Sequence, residues 1–286
     1  MTATGLRQAI DVATAALAQA GIDSARTDAE LLAAHAAGTE RGRLAVVAAP
    51  DAEFFGRYDE LITARTRRIP LQHITGTAAF GPLTLHVGPG VFIPRPETEA
   101  LLEWALAQSL PADPLIVDLC TGSGALAIAL ARHWPRARVI AVDDDGAALA
   151  YARRNAESSA VELVEADVTA AGLLPELTGT VDLVVANPPY IPAGAELEPE
   201  VAQHDPAHAL FGGADGMAVI APIVDHAGGW LRSGGLLAVE HDDTTSAQTV
   251  EMIGRTGLFD AVTAHRDLTG RPRFVTARRA EREDSA

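Results

Sequence analysis

From Leu115 onward the chain alternates short apolar runs with helical stretches, and this alternation restricts the fold more than any other feature. Leu115-Ile116-Val117-Asp118, Arg138 to Asp143, Val161 to Val164 and Val181 to Ala186 are short and almost uniformly apolar, as strands buried on both faces are. Between them, Ala125 to His133, stopped by Pro135, and Ala147 to Asn155 read as helices. Met217 to Leu231 and Ser246 to Gly257 read as further helices around a fifth strand, Leu236 to Glu240. Phe259 to Ala264 and Arg273 to Ala277 read as an antiparallel pair. The fold class is therefore α/β: a Rossmann-like, seven-stranded, mostly parallel sheet with helices on both faces.

The region before this alternation carries no strand signal. Leu6, Ile10 and Leu17 fall at helical spacing and Gly21 ends the segment. Thr27-Asp28-Ala29-Glu30 reads as a capping box for a second helix running to about Gly38. Asp51, after Pro50, can cap a third that carries Phe54, Tyr58, Leu61, Ile62 and Arg65. Three parts follow: a helical bundle over 1–74, a hairpin or extended linker over 75–94 around Gly81-Pro82 and Gly88-Pro89-Gly90, and an α/β domain over 95–286. Thr98 or Glu97 opens a helix at the start of that domain, and the polar tail from Glu281 to Ala286 reads as disordered.

Composition narrows the setting. No apolar stretch approaches twenty residues, and Met1-Thr2-Ala3-Thr4 does not begin a signal peptide, so the sequence reads as cytoplasmic with no membrane partner. Cys120 is the only cysteine, which suits a reducing compartment. All 22 basic residues are Arg, and the net charge is −16, which disfavours a polyanionic partner such as nucleic acid. The clusters Arg65, Arg67, Arg68 and Arg271, Arg273, Arg278, Arg279 are either local basic patches or solvated faces.

Candidate chemistry gathers at the carboxyl ends of the strands, where open α/β sheets bind ligands. Asp118-Leu119-Cys120-Thr121-Gly122-Ser123-Gly124 follows a strand and opens a helix, and its glycines allow close approach of backbone to ligand. Ala127 stands where a dinucleotide fingerprint carries its third glycine, a permitted variant, so the loop alone decides little. Asp143 ends the next strand, where a carboxylate accepts from both ribose hydroxyls. Asp118 would repel a pyrophosphate but attract an ammonium; its alternative role is to cap the following turn. Ribose and ammonium without phosphate point to S-adenosylmethionine rather than NAD. Asp167, with Val168 beside it, either accepts from the adenine amino group or only starts a turn.

Val181 to Ala186 ends in Asn187-Pro188-Pro189-Tyr190, whose prolines make a rigid support for the Asn187 amide and the Tyr190 ring. The alternative is a surface turn without a role. Together with the glycine loop and Asp143, this motif resembles class I S-adenosylmethionine-dependent methyltransferases acting on planar amide or amino nitrogens. Pro70-Leu71-Gln72-His73-Ile74-Thr75-Gly76, Phe80-Gly81 and Ile93-Pro94-Arg95-Pro96-Glu97-Thr98-Glu99 narrow the resemblance to the HemK/PrmC family. It spans nearly the whole chain, to Asp267-Leu268-Thr269-Gly270-Arg271-Pro272-Arg273. Departures fall at Cys120, where glycine is usual, at His204-Asp205-Pro206, and at Glu240-His241-Asp242, which lacks the usual glycine after the acid.

The resemblance implies methylation of the glutamine of the Gly-Gly-Gln motif in class 1 peptide-chain release factors, leaving S-adenosylhomocysteine, with the helical bundle docking the protein substrate. Glutamine of a ribosomal protein and, less well supported, adenine of nucleic acid stay open. In this reading Asn187 and Pro188 accept the amide hydrogens, with Pro189 and Tyr190 completing the substrate site. Phe92, Asp118, Cys120, Thr121, Gly122, Ser123, Gly124, Asp143, Asp167, Val168 and Asn187 line the cofactor site. Arg95, Glu97 and Thr98 either line the site or brace it. The reaction calls for no metal: His204 and His208 lie four apart, but Pro206 breaks a helix between them, and His241-Asp242-Asp243 reads as a solvated strand end. Cys120 reads as packing within the loop.

Overall fold

The computed structural model describes residues 3–46 and 51–281, so Met1, Thr2 and the tail beyond Glu281 lie outside the described residues. The chain falls into two compact units, Met1–Thr77 with Leu197–His204, and Ala78–Glu196 with Asp205–Ala286. No helix among the described residues is long and apolar enough to cross a membrane.

The first unit is helical. Helices α1 (Ala3–Gln19), α2 (Ala25–Ala36), α3 (Ala52–Thr66) and α4 (Leu71–Thr75) pack their apolar faces together, with Leu17 and Leu32 wholly buried and Phe54 stacked on Tyr58. The cap on α3 is made as expected, Asp51 accepting from the Phe54 amide at 2.8 Å. The expected capping box at Thr27 is not: α2 begins at Ala25, two residues earlier. The reason is a competing partner. The Glu30 carboxylate that would close the box is taken by Arg26 at 2.5 Å and by Arg41 at 2.8 Å, so it is not free to reach back to the helix start.

The second unit opens with a hairpin, β1 (Thr77–Phe80) and β2 (Leu83–His86), followed by α5 (Glu99–Leu106). Then come β3 (Leu115–Leu119), α6 (Ala125–His133), β4 (Arg138–Asp143), α7 (Gly146–Asn155), β5 (Val161–Glu165) and β6 (Val181–Ala186). After α8 (Pro199–His204), which belongs to the helical unit, the chain continues as α9 (Ile220–Trp230), β7 (Leu231–Glu240), α10 (Ser246–Arg255), β8 (Phe259–Arg266) and β9 (Pro272–Arg279). The sheet has seven strands in the order β5-β4-β3-β6-β7-β9-β8. β3 to β7 are parallel, and β9 lies antiparallel between β7 and β8. Its two faces bury separate apolar layers, which fixes which residues reach the strand ends.

Among the boundaries that differ from the sequence reading, those of α9 and β7 bear on the site. α9 starts three residues late because Asp215 accepts from the Met217 amide and holds that stretch as a turn. β7 starts at Leu231 rather than Leu236, since Arg232 pairs with Asp182 beneath the strand and a register shift between Val181 and Leu183 absorbs the extra length. Strand order reverses at β3, with β4 on one side and β6 on the other, and the carboxyl ends of those strands define a switch-point crevice.

Candidate active site

A cavity of about 280 Å³ opens at this crevice, lined entirely from the second unit. On the β3 and β4 side, Asp118 is 1% exposed. Its Oδ2 accepts the Thr121 hydroxyl at 2.6 Å and the Ala127 amide at 3.1 Å, so it does cap the turn. Oδ1, equally buried, has no hydrogen-bond partner among the described residues. Burial pushes this carboxyl up to about 7, against the pull of the Thr121 and Ala127 hydrogen bonds. An acid held this way is a site for a cation brought by a ligand.

Asp143 lies at the end of the adjacent strand and accepts from the Gly122 amide at 2.8 Å and the Asp145 amide at 3.0 Å, while burial raises its pKa. Its remaining lone pairs are what two vicinal hydroxyls need. Cys120 adopts φ +59°, a left-handed conformation that suits glycine, and it is half-buried. Burial, with Asp143 and Asp118 adding, pushes its thiol well above the ordinary value, so it is no thiolate nucleophile. Thr121, Gly122 and Ser123 also line the cavity, whereas Gly124 stands behind it, packed on Ile128 and Ala152. Val168 gives an apolar wall, and exposed Asp167 is lowered by the Thr169 hydroxyl and amide that it accepts.

On the β6 and β7 side, Asn187, Pro188, Pro189 and Tyr190 all reach the cavity. The turn is clamped from outside: Ile191 donates to the Leu210 carbonyl, and Gly212 donates to the Ile191 carbonyl. A Cβ on Gly212 would stand 2.5 Å from the Pro189 oxygen, so the close approach needs a glycine. Asn187 Nδ2 donates to Thr98 Oγ1 at 3.1 Å, and Tyr190 donates its hydroxyl proton to Glu240 Oε1 at 2.8 Å. Glu240 is wholly buried; burial raises it to about 7 although the Tyr190 and Thr98 hydroxyls and the Arg273 guanidinium favour its charged form. His241 corrects the reading of a solvated strand end. β9 covers it, the Arg273 carbonyl accepts its amide, and burial lowers its pKa; only Asp243 of that trio is exposed.

Phe92 lines the cavity, with the Arg95 guanidinium 5.0 Å above its ring. Arg95 itself pairs with buried Asp205 and, like Glu97, stands outside the lining. Thr98 is inside it. Glu240, Arg273 and Asp145 escaped the sequence reading, as did the segment Pro206 to Phe211 that walls the cavity, where His208 Nε2 lies 3.0 Å from Asp145. The glycines after Phe211 were the available signal, since a Gly-Gly pair beside a rigid turn marks close backbone contact.

The pattern is that of a nucleoside site on a doubly wound sheet with an amide acceptor on the neighbouring strand. Residues 8–76 match the family model described as PrmC N-terminal domain, and residues 83–210 match the methyltransferase small domain. A methyltransferase from Pyrococcus furiosus, 19% identical, superposes with a TM-score of 0.53 over 77% of this chain and 100% of that one, a likeness of fold. The release factor glutamine methyltransferase of Mycolicibacterium smegmatis is 68% identical over 279 residues, covering 98% of this chain and 99% of that protein. One from Mycobacterium tuberculosis is 67% identical, covering 96% and 91%. The protein is a methyltransferase by family model and by these relatives. It belongs to the release factor glutamine methyltransferase family.

Proposed function

We propose that the protein transfers a methyl group from S-adenosylmethionine to the side-chain N5 of the glutamine in the Gly-Gly-Gln motif of class 1 release factors, in the cytoplasm. The observation that carries this is Asn187: its Nδ2 is spent on Thr98, so the oxygen is the end left for a ligand, in the same cavity as the unpaired Asp118 oxygen. Asp118 Oδ1 takes the ammonium of the methyl donor, Asp143 takes the ribose hydroxyls, and Asp167 and Val168 face the base. The donor, when bound, supplies a methyl on a sulfonium that departs as a neutral thioether.

A glutamine nitrogen is a weak nucleophile because its lone pair is delocalised, so the protein's task is orientation. Holding the nitrogen in near-attack geometry contributes about 7–11 kcal/mol toward the barrier. Asn187 Oδ1 and the Pro188 carbonyl accept the two amide hydrogens and stabilise the positive charge that develops on nitrogen. Tyr190 and Pro189 pack beside the amide and exclude water. Proton loss follows transfer, so no strong base is required. Arg95 supports Phe92 against the cofactor, and Glu97 belongs to the same brace. The helical unit, with the hairpin leading out of it, helps to dock a substrate too large for the cavity alone.

The test is intact-mass and peptide analysis after incubation with the methyl donor and a release factor, a ribosomal protein or DNA. A single methyl on the Gly-Gly-Gln glutamine is expected. Methylation confined to either other substrate would overturn the assignment.

A further inference from the structure

The cavity has a rim as well as a floor, and the two are built differently. Its floor acids Asp118 and Asp143 are buried, but the His208 side chain is 53% exposed while lining the same space. His208 sits on a short arch, Pro206 to Phe211, whose ends are both fastened. Asp205, just before it, pairs with Arg95, and the Leu210 carbonyl near its end accepts the Ile191 amide at 2.8 Å. Within the arch the Ala209 amide donates to the Pro206 carbonyl at 2.9 Å, making a stiff turn with His208 at its crown.

Nε2 of that ring reaches Asp145 Oδ2 at 3.0 Å. Asp145 belongs to the other wall, just after β4, and it is fixed in place: its Oδ1 accepts the Ala147 amide at 2.8 Å and caps α7, and its own amide donates to Asp143 at 3.0 Å. The contact therefore crosses the rim, from the segment that clamps the acceptor turn to the strand end that carries Asp143. Neither side depends on it for its shape. α7 is capped by the other oxygen of Asp145, and the arch is held by its own amides and its fastened ends.

We propose that His208 and Asp145 form a clasp over the donor site, and that S-adenosylmethionine enters and S-adenosylhomocysteine leaves only while the pair is parted. This rests on the reading of the cavity as the donor site given above. A neutral imidazole with its proton on Nε2 and an imidazolium both donate to the carboxylate, so the clasp closes in either form. Rotation of an exposed side chain is fast beside ligand exchange, so passage in each direction scales with the fraction of time the clasp is open. His208 takes no part in methyl transfer.

Stopped-flow binding of S-adenosylmethionine and S-adenosylhomocysteine to the full chain, without protein substrate, reads the gate. In His208→Ala the association and dissociation rates should rise together by about fivefold, the upper end for an exposed pair, leaving Kd within about twofold. His208→Gln keeps a donor for Asp145 and should restore part of the slow exchange. Unchanged rates in His208→Ala, or His208→Gln exchanging as fast as the alanine variant, would overturn the proposal. So would a rise in dissociation alone with Kd weakened in step, the mark of a side chain that holds the nucleoside itself. Wild-type protein that binds neither nucleoside rejects the reading of the cavity, an outcome distinct from all of these.

Discussion

The two halves of the cavity bury their acids in different ways. On the β3 and β4 side, Asp118 is held from within its own loop, by Thr121 three residues on and Ala127 nine residues on. Asp143 is likewise held by backbone amides, those of Gly122 and Asp145. On the β6 and β7 side the ties are between side chains distant in sequence: Asn187 to Thr98 spans 89 residues, Tyr190 to Glu240 spans 50, and Arg273 reaches Tyr190 across 83. The first half is a cradle that the two loops after β3 and β4 make, largely from backbone amides. The second is a network that exists only when four segments of the fold have come together, and the two halves should fail differently under mutation.

The largest separation comes from Asn187→Ala. Transfer should fall by about a thousandfold, the upper range for removing one preorganised group, while calorimetry finds donor binding intact. Near-normal turnover would break the distinction between the halves. Asp118→Asn should do the reverse, costing donor affinity about 100-fold, as losing a charged hydrogen bond does, without lowering the stability of the unliganded protein. Stability is unharmed because the carboxyl is held near 7 by burial, above its ordinary 3.8. The folded protein keeps a proton there that the unfolded chain releases, so stability contributed by this group declines as pH rises through that window. Glu240, raised from 4.5 to about 7, adds in the same direction.

A smaller effect sharpens the contrast. Asp118 must be ionised to hold an ammonium, so donor affinity should rise about tenfold between pH 6 and pH 8 and proton release should accompany binding. Isothermal titration in buffers of different ionisation enthalpy reads both; a flat profile would remove Asp118 as the ammonium site. The smallest effect concerns the loop backbone. Cys120→Gly relieves a left-handed φ of +59° and should raise the thermal midpoint, a gain of about 1 kcal/mol. An unchanged or lowered midpoint would mean that the loop is not strained there.

The same contrast explains what the sequence made legible. Val117, Val142 and Val184 lie in buried parallel strands, where runs of apolar residues are the direct signature of burial on both faces, and their ends led to Asp118, Asp143 and Asn187. Glu240 ended a strand in just the same manner, but nothing local distinguished it from an acid facing water; its hydrogen-bond partner Tyr190 comes from the turn after β6, and Arg273, which bonds the same hydroxyl, comes from β9. His241 was misread for the same reason, because the strand that covers it arrives thirty residues later in the chain. The capping box at Thr27 was plausible by spacing and lost its Glu30 carboxylate to Arg26 and to Arg41, the latter across 11 residues. Local chemistry was readable, and long-range competition for the same atoms was not.

The placement of β9 between β7 and β8 has a consequence for how the protein comes into being. β8 precedes β9 along the chain but has no seat in the sheet until β9 has docked on β7. The outermost strand of that edge is therefore installed through its successor, a non-local step of the kind that closes late in folding. Arg273 and the cover over His241 arrive with the same strand. A molecule halted just before that step would have its nucleoside cradle assembled and its amide-holding network unfinished, so that catalytic competence, more than ligand uptake, marks the completion of the fold.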